Sequence, residues 1–486
     1  MSGRKQRFMS VFLIIILILS CETPLWAISI SQENEISREF LKEVFRQYQL
    51  VEDPEINAYV QKIGEKILST YPPQPFKFKF YVINSDVYNA FAGPGAQIFV
   101  HSGLLEALSN EDELAGIISH EIGHAVCRHI SKNIDQSGKI GLGTLAGIAA
   151  GIFLGVYGNA AAGSALTVGS IAGSQSAALS FSRDDEMQAD KIGLEHVIAA
   201  GYDGRGMVDA LTVIRSQEWY GTKQIPTYMM THPALEDRIT YLNNLIDANP
   251  HRQTTVKPGG YSEFNMIKTK LSALYGNCDD EKARFQSILG KDPENFYAMY
   301  GMGIVLSRSG KTDEAIVYLK KALEKNAFNV GMLKTLGKVY FEAGRYINAQ
   351  NVFEGAIGLM PRDYECNLYM GRVSIEEGKL GAAKDYLLPF ASDDKGETDA
   401  YYYLSDIYAM KNRLLESYYY LGLYYKNKRD GKNALVQFEM ALKLAGKTGM
   451  KEKIQTNIDE LKGLKNKDKN GEKQGRKGGL SFRMMD

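Results

Sequence analysis

Apolar residues recur three and four positions apart at Phe40, Leu41, Val44 and Phe45, and again at Ile56, Tyr59, Val60 and Ile63. Polar residues fill most of the gaps, so the spacing predicts amphipathic helices from Glu35 to about Ser69. "YPPQPF" stops them. "FKFKFYVI" (Phe76–Ile83) then alternates with period two, the pattern of a strand with one buried face. In "NAFAGPGAQIFVHSGLL" (Asn89–Leu105) a Gly-Pro-Gly turn feeds a second strand around Gln97–His101. A helix follows, for which Asn110 is the cap and Glu113, three residues on, completes a capping box. "SRDDEMQADKIG" (Ser182–Gly193) predicts another helix, which makes this an α+β domain dominated by helices.

The C-terminal half repeats. Gly310, Gly344 and Gly378 are 34 residues apart, and "MGIVLSRSGKTDEAIVYLKKAL", "LGKVYFEAGRYINAQNVFEGAI" and "MGRVSIEEGKLGAAKDYLLPF" align around them without gaps. Gly303, Gly337 and Gly371 recur in register with Ala315, Ala349 and Ala383 and with Leu319, Phe353 and Leu387. The period and pattern resemble tetratricopeptide repeats, in which small residues let paired helices approach and large ones fill the gap between pairs. A weaker copy precedes them (Gly276, Phe285, Pro293). Another follows with its phase slipped by half a repeat (Leu421, Gly422, Tyr425, Ala434, Phe438, Ala441). The expectation is an all-α superhelix over 263–444, with a concave face for protein or peptide. "DAYYYLSDIY" and "ESYYYLGLYY" either line that face or pack between repeats. "ANPHRQTTVKPGGYS" (Ala248–Ser262), rich in Pro and Gly, is the expected joint, and 445–486 is expected to be a basic, disordered tail.

At 486 residues the chain is long enough for more than one core. Lys+Arg and Asp+Glu are 57 each, and no phosphate-cradling Gly loop is present, so nothing calls for nucleic acid. "MSGRKQR" followed by the uncharged "FMSVFLIIILILS" (Phe8–Ser20) is a secretory signal, too short to span a bilayer comfortably. Cleavage after Ala27 would release a soluble chain; "ILSC" offers a lipid anchor at Cys21 instead. Cys127, Cys278 and Cys366 are too scattered for a disulfide framework, and Cys127 is expected to be a small core residue. The uncharged stretch from Ile140 to Ser182 is expected to form a buried or membrane-brushing helical hairpin, a true span being the alternative.

"SHEIGHAVCRH" (Ser119–His129) carries the chemistry. His120 and His124 are four apart on one helix face and can share a metal, while Glu121 is placed to hold and deprotonate water. A third ligand comes from the second helix, where Glu186 and Asp190 again share a face. Glu186 can bind the metal, and Asp190 can accept a hydrogen bond from a ligating imidazole. His101, His129, His196 and His251 lack metal-ligand partners at helical spacing and are expected to be structural. Arg128 and Arg183 either pair with nearby carboxylates or simply face solvent.

"NAFAGPGAQIFV", "HEIGHAVCRH", "FSRDDEMQAD", "AGYD" and "THP" occur in the order found in the gluzincin family of the CAAX-prenyl proteases and HtpX-like heat-shock proteases. With its signal and repeats, the chain resembles the periplasmic branch of that family over roughly Glu35 to Leu444. Ala96 departs from the pattern, where the family more often has Gly. The resemblance implies a mainly α protein: a signal peptide (1–27), an α+β gluzincin-type metalloprotease domain (28–250), then the repeats. It implies one Zn2+ per chain on His120, His124 and Glu186, with Glu121 as general base and acid. Gln97, Ile98, Phe99 and Val100 are implied to be an edge strand along which an extended substrate lies. His232 of "THP" is implied to sit near the open metal position, steadying an oxyanion or blocking the site at rest; a role at a helix start is the plain alternative. The implied clients are misfolded or stalled outer-membrane β-barrel proteins, with the outer-membrane assembly machinery as partner and a peripheral membrane contact. The rival expectation is a periplasmic chaperone or scaffold whose protease site is latent.

Overall fold

The computed structural model describes residues 28–136, 181–216, 227–248, 262–392, 396–446 and 448–477. The signal segment with Cys21, the apolar stretch up to residue 180, and His251 lie outside the described residues. Among the described residues no helix is long and apolar enough to cross a membrane. The chain divides into two compact units, Met1–Asn277 and Cys278–Asp486.

In the first unit, α1 (Ile30–Gln47) opens on a capping box. Ser29 accepts from the Gln32 N–H, and the Gln32 side chain accepts from the Ser29 N–H. Its buried stripe is Ile36, Phe40 and Val44, four apart. Helix α2 (Pro54–Leu68) starts with Asp53 as cap and Pro at its first position. Three strands follow: β1 (Lys79–Ile83), β2 (Ala90–Gly93) and β3 (Gln97–His101). Their order is β1-β3-β2, with β1 parallel and β2 antiparallel to β3. Phe91, Phe99 and Tyr81, paired across the strands, stack at 4.8 and 4.9 Å, and Phe40 meets this ladder edge-on. The β2–β3 turn places Gly95 and Ala96 at φ +69° and +60°. Ala96 therefore sits in the left-handed region, which costs an alanine about 1 kcal/mol and would favour Gly there.

Helices α3 (Ser102–Ala107), α4 (Glu111–Val126), α5 (His129–Gln136), α6 (Arg183–Ala199), α7 (Arg205–Ser216), α8 (Thr227–Thr231) and α9 (Leu235–Ala248) follow. Helix α4 is buried on every side from Glu113 to Ala125, so it runs through the middle of the unit. Helix α10 (Glu263–Tyr275), placed by the sequence with the repeats, belongs to this unit. Phe264, Ile267 and Leu271 join its core. Lys270 Nζ lies 2.8 Å from Asp53 and 2.7 Å from Glu55, and the Tyr275 hydroxyl accepts the N–H groups of Glu52 and Asp53.

The second unit is all helix. It comprises α11 (Cys278–Lys291), α12 (Phe296–Arg308), α13 (Thr312–Lys325), α14 (Val330–Glu342), α15 (Tyr346–Leu359), α16 (Tyr364–Glu376), α17 (Leu380–Leu387), α18 (Thr398–Met410), α19 (Leu414–Asn427), α20 (Gly431–Ala445) and α21 (Met450–Lys477). The small-to-large pairing works within each repeat. A Cβ on Gly303, Gly337 or Gly371 would come within 2.6–2.8 Å of Leu319, Phe353 or Leu387. The half-repeat slip also has a physical cause. Helix α19 offers Ser417 to Ser405 of α18 on one face (3.2 Å), and Gly422 to Phe438 of α20 on another. One helix thus serves two consecutive pairs. Tyr401, Tyr408 and Tyr419 are buried, which is packing between helices. The expected disordered tail is instead helical to Lys477. Ile454, Ile458 and Leu461, four and three apart, are buried with Ala434, Phe438 and Ala441, so the helix closes the apolar end of the array.

Candidate active site

Two helix backbones touch where the site forms. A Cβ on Gly123 of α4 would lie 2.8 Å from the Ala189 carbonyl oxygen of α6. One on Gly193 of α6 would lie 3.1 Å from the Ser119 carbonyl oxygen, and Ser119 Oγ donates to the Gly193 carbonyl at 2.7 Å. Glycine at 123 thus permits the approach that brings the faces of His120 and His124 onto that of Glu186. His124 Nε2 lies 3.0 Å from His120 Nε2 and 3.3 Å from Glu186 Oε1. His120 Nε2 is 3.5 Å from Glu186 Oε2. His232, between α8 and α9, enters from a third direction, its Nδ1 3.0 Å from Glu186 Oε1 and 3.4 Å from His120 Nε2. Ligand atoms from these four residues all fall within 4.8 Å of one another, and all four are buried.

Around them stand groups with opposing charge. Asp190 Oδ1 is 2.7 Å from His120 Nδ1. Arg238 of α9, buried, reaches Asp190 with Nη2 and Nε at 2.7 and 2.8 Å, and its Nη1 lies 2.6 Å from Glu186 Oε2. The Tyr241 hydroxyl donates to Asp190 Oδ2. Burial alone would raise the Glu186 and Asp190 carboxyls, but the Arg238 guanidinium and the nearby imidazoles outweigh it and hold both well below the usual range. Burial lowers the His120 imidazole to about 3, with Arg238 adding to the effect, so the ring is neutral and its lone pair is free to ligate. Glu121 goes the other way, pushed up to about 8 by burial and by the Glu186 charge. Among the described residues neither Glu121 oxygen has a hydrogen-bond partner of good geometry, nor does His232 Nε2, which lies 3.7 Å from Glu121 Oε1.

Three buried carboxylates against one guanidinium leave an excess of two negative charges when Glu121 is ionised. Two or three imidazole nitrogens and a carboxylate oxygen converge on the same point. This donor set fits a divalent cation, and borderline-soft zinc best of the common ones.

Gln97, Ile98, Phe99 and Val100 are not where the resemblance implied. They lie in the central strand, because β1 runs parallel along one side of β3 while β2 occupies the other. The edge beside α4 is β2. Its pairing to β3 runs through Asn89, whose carbonyl accepts the His101 N–H at 3.0 Å, and by alternation through Phe91 and Gly93. Ala90 and Ala92 therefore turn their backbone groups away from β3, and the Ala92 N–H acts on the Glu121 carboxylate. Arg183 makes an exposed contact to Asp237 at 3.5 Å. Arg128 pairs with Glu33 at 2.7 Å, and Glu33 also accepts the Gly95 N–H. Cys127, half-buried at the end of α4, is not in the ligand group.

Two contributors escaped the sequence reading. Arg238 lies between Leu235 and Leu242 on a stripe that is otherwise core, and a cation at such a position is the trace it leaves. His129 was set aside as structural, yet its Nδ1 lies 3.0 Å from His124 Nδ1. Five residues is not helical spacing; Arg128, at φ +55°, reverses the chain and folds the ring back.

Residues 51–246 match peptidase family M48. The chain is 28% identical over 314 residues to the beta-barrel assembly-enhancing protease of Yersinia pestis, covering 63% of this chain and 62% of that one. It is 25% identical over 397 residues to the protein of the same name from Escherichia coli (strain K12), covering 79% and 78%. The first of these alignments thus spans less than two thirds of the relative. Among solved structures, YrrB, a TPR protein with an unusual peptide-binding site, aligns at 19% identity with a TM-score of 0.28, covering 44% of this chain and 97% of that one. A score that low carries no argument, and the repeat assignment rests on the 34-residue period and the helix pairs.

Proposed function

We propose that this chain, whose residues 51–246 match peptidase family M48, is a zinc-dependent endopeptidase of the cell envelope that cuts unfolded or misassembled proteins. The carrying observation is the buried group His120, His124, Glu186 and His232 with the buried Glu121 carboxylate beside it. Zinc held there by His120, His124 and Glu186 would polarise a scissile carbonyl and bring the pKa of water to about 7. Glu121 accepts the proton from the attacking water and returns it to the leaving amine nitrogen. Asp190 orients the His120 ring, and Arg238 keeps Asp190 and Glu186 ionised. The Ala90 and Ala92 backbone groups on the edge of β2 can pair with an extended substrate, a mode that reads little side-chain identity. His232, already on Glu186, either steadies the oxyanion or serves as a fourth ligand that holds the site shut.

The names of the two relatives support β-barrel proteins in assembly as the client class; we place these clients in the outer membrane and assign the repeats to binding them or their assembly machinery. The N-terminal signal pattern supports export to the periplasm, either soluble or anchored through Cys21, with a peripheral membrane contact. A second reading, a chaperone or scaffold with a mostly latent site, is favoured by His232 standing within the ligand group. The test is metal analysis and cleavage of an unfolded protein by residues 28–486 and by Glu121→Gln. The variant should keep one zinc and lose hydrolysis. Full zinc in His124→Ala refutes the site, and rescue of a cellular phenotype by Glu121→Gln favours the scaffold.

A further inference from the structure

The two imidazoles of the HExxH helix have different supports. His120 Nδ1 faces the Asp190 carboxylate, an anion that accepts a proton without conditions. His124 Nδ1 faces another imidazole, that of His129, and two neutral rings can share one hydrogen bond only if each adopts a particular tautomer.

The tautomers follow from the geometry. His124 Nε2 points into the ligand group, so it must present a lone pair there. The proton of His124 is then on Nδ1, where it faces His129 Nδ1 at 3.0 Å. His129 must therefore offer a lone pair at Nδ1 and carry its own proton on Nε2. That nitrogen lies 3.0 Å from Gln188 Oε1, an amide oxygen on α6, and 3.6 Å from Asp185 Oδ1. The bonds run in one direction, His124 Nδ1–H to His129 Nδ1 and His129 Nε2–H to Gln188 Oε1. Phe181 stacks on the His124 ring at 3.8 Å and fixes its plane, while His129 itself is 1% exposed, so water does not compete for the contact.

We propose that His129 is a positioning residue that fixes the tautomer and orientation of His124, with Gln188 fixing those of His129. The relay joins α5 and α6 to the ligand on α4, so the segment after the Arg128 reversal is part of the metal site's support. It rests on the metallopeptidase reading of the site, and the controls separate the two.

The test uses residues 28–486 in three variants. His129→Phe keeps a buried ring and removes the acceptor. His129→Asn restores an acceptor oxygen near the position of Nδ1. Gln188→Leu alters an exposed side chain and removes only the second acceptor. Zinc affinity, by competition with a chromophoric chelator, should fall about 10- to 100-fold in His129→Phe, the usual scale for an orienting partner. It should return most of the way in His129→Asn and fall in the same direction in Gln188→Leu. In metal-free protein, long-range 15N–1H spectra should show His124 protonated at Nδ1 in wild type and losing that preference in His129→Phe. Wild-type affinity and an unchanged His124 tautomer in His129→Phe overturn the proposal. So does loss of affinity that His129→Asn does not restore, since that marks a packing role. If His129→Phe fails to fold, wild-type affinity and spectra in Gln188→Leu overturn it. His124→Ala is the control: if it too keeps zinc, the metal site itself is misassigned.

Discussion

Where the catalytic unit ends can be decided by two truncations. A boundary drawn from repeat periodicity removes α10 together with the repeats and leaves 28–248. The structure keeps α10, so the unit should be 28–277. Phe264, Ile267 and Leu271 are at most 2% exposed and belong to the catalytic core. At about 1.5–3 kcal/mol for each fully buried side chain, deleting them withdraws roughly 5–9 kcal/mol. Removing Lys270 also leaves Asp53, the cap of α2, without its buried cation. Domains of this size are stable by only about 5–15 kcal/mol in total, so the shorter fragment should be largely unfolded or aggregated while the longer one folds and binds metal. Urea unfolding followed by far-UV circular dichroism, with zinc stoichiometry on the same samples, compares the two. A 28–248 fragment with the midpoint and zinc content of 28–277 would refute the reasoning. Lys270→Met in the full chain is the milder version and should lower the midpoint of the catalytic unit alone.

Gly123→Ala should cost about 1–3 kcal/mol and also lower zinc affinity, since its Cβ meets the Ala189 backbone and must part α4 from α6; an unchanged melting temperature counts against the close approach. Arg238→Leu strands Glu186 and Asp190 as buried anions and should destabilise the metal-free protein by about 3–5 kcal/mol, with added zinc recovering part of the loss; a cost under about 1 kcal/mol in EDTA contradicts the charge argument. His101 is fully buried, both ring nitrogens lack a partner among the described residues, and burial lowers it to about 4. Between pH 6.5 and 4 the unfolded chain therefore binds a proton that the folded chain refuses, so stability falls as pH falls through that window, by roughly 3 kcal/mol at its end. His101→Phe should abolish that component, and parallel stability–pH curves for the two proteins would show it absent.

What the sequence made legible at the site is what sits on one helix. His120, Glu121 and His124 share α4, while Glu186 and Asp190 share α6, and four-residue spacing is enough to put each set on one face. The repeats were legible for the same reason, because each small-to-large pair lies within one 34-residue period. The implied position of the substrate strand failed because strand order is a long-range property. Alternation in Phe76–Ile83 announces a strand but not that it returns parallel to β3 and covers its outer side. A local sign was present all the same: every residue of β3 is buried, and the unbroken apolar run "IFV" (Ile98–Val100) is how a strand covered on both faces reads.

The supports were less legible than the ligands, and the cause is physical. A ligand must project from a rigid element toward the metal, so its spacing obeys the helix. A support needs only to arrive at the far side of the ring, by whatever route the chain offers. Asp190 reaches His120 by helical spacing; His129 reaches His124 by a left-handed reversal, and Arg238 comes from a helix 48 residues beyond Asp190 in the chain. The three supports are nonetheless tied to one another through α6, which carries Glu186, Gln188 and Asp190 within a turn and a half. Helix α6 can bring Glu186, Gln188 and Asp190 to the histidines of the site only because Gly123 lets it lie against α4. The glycine inside HExGH is thus a condition for the proposed metal site as much as for the packing, and a change there should register in both.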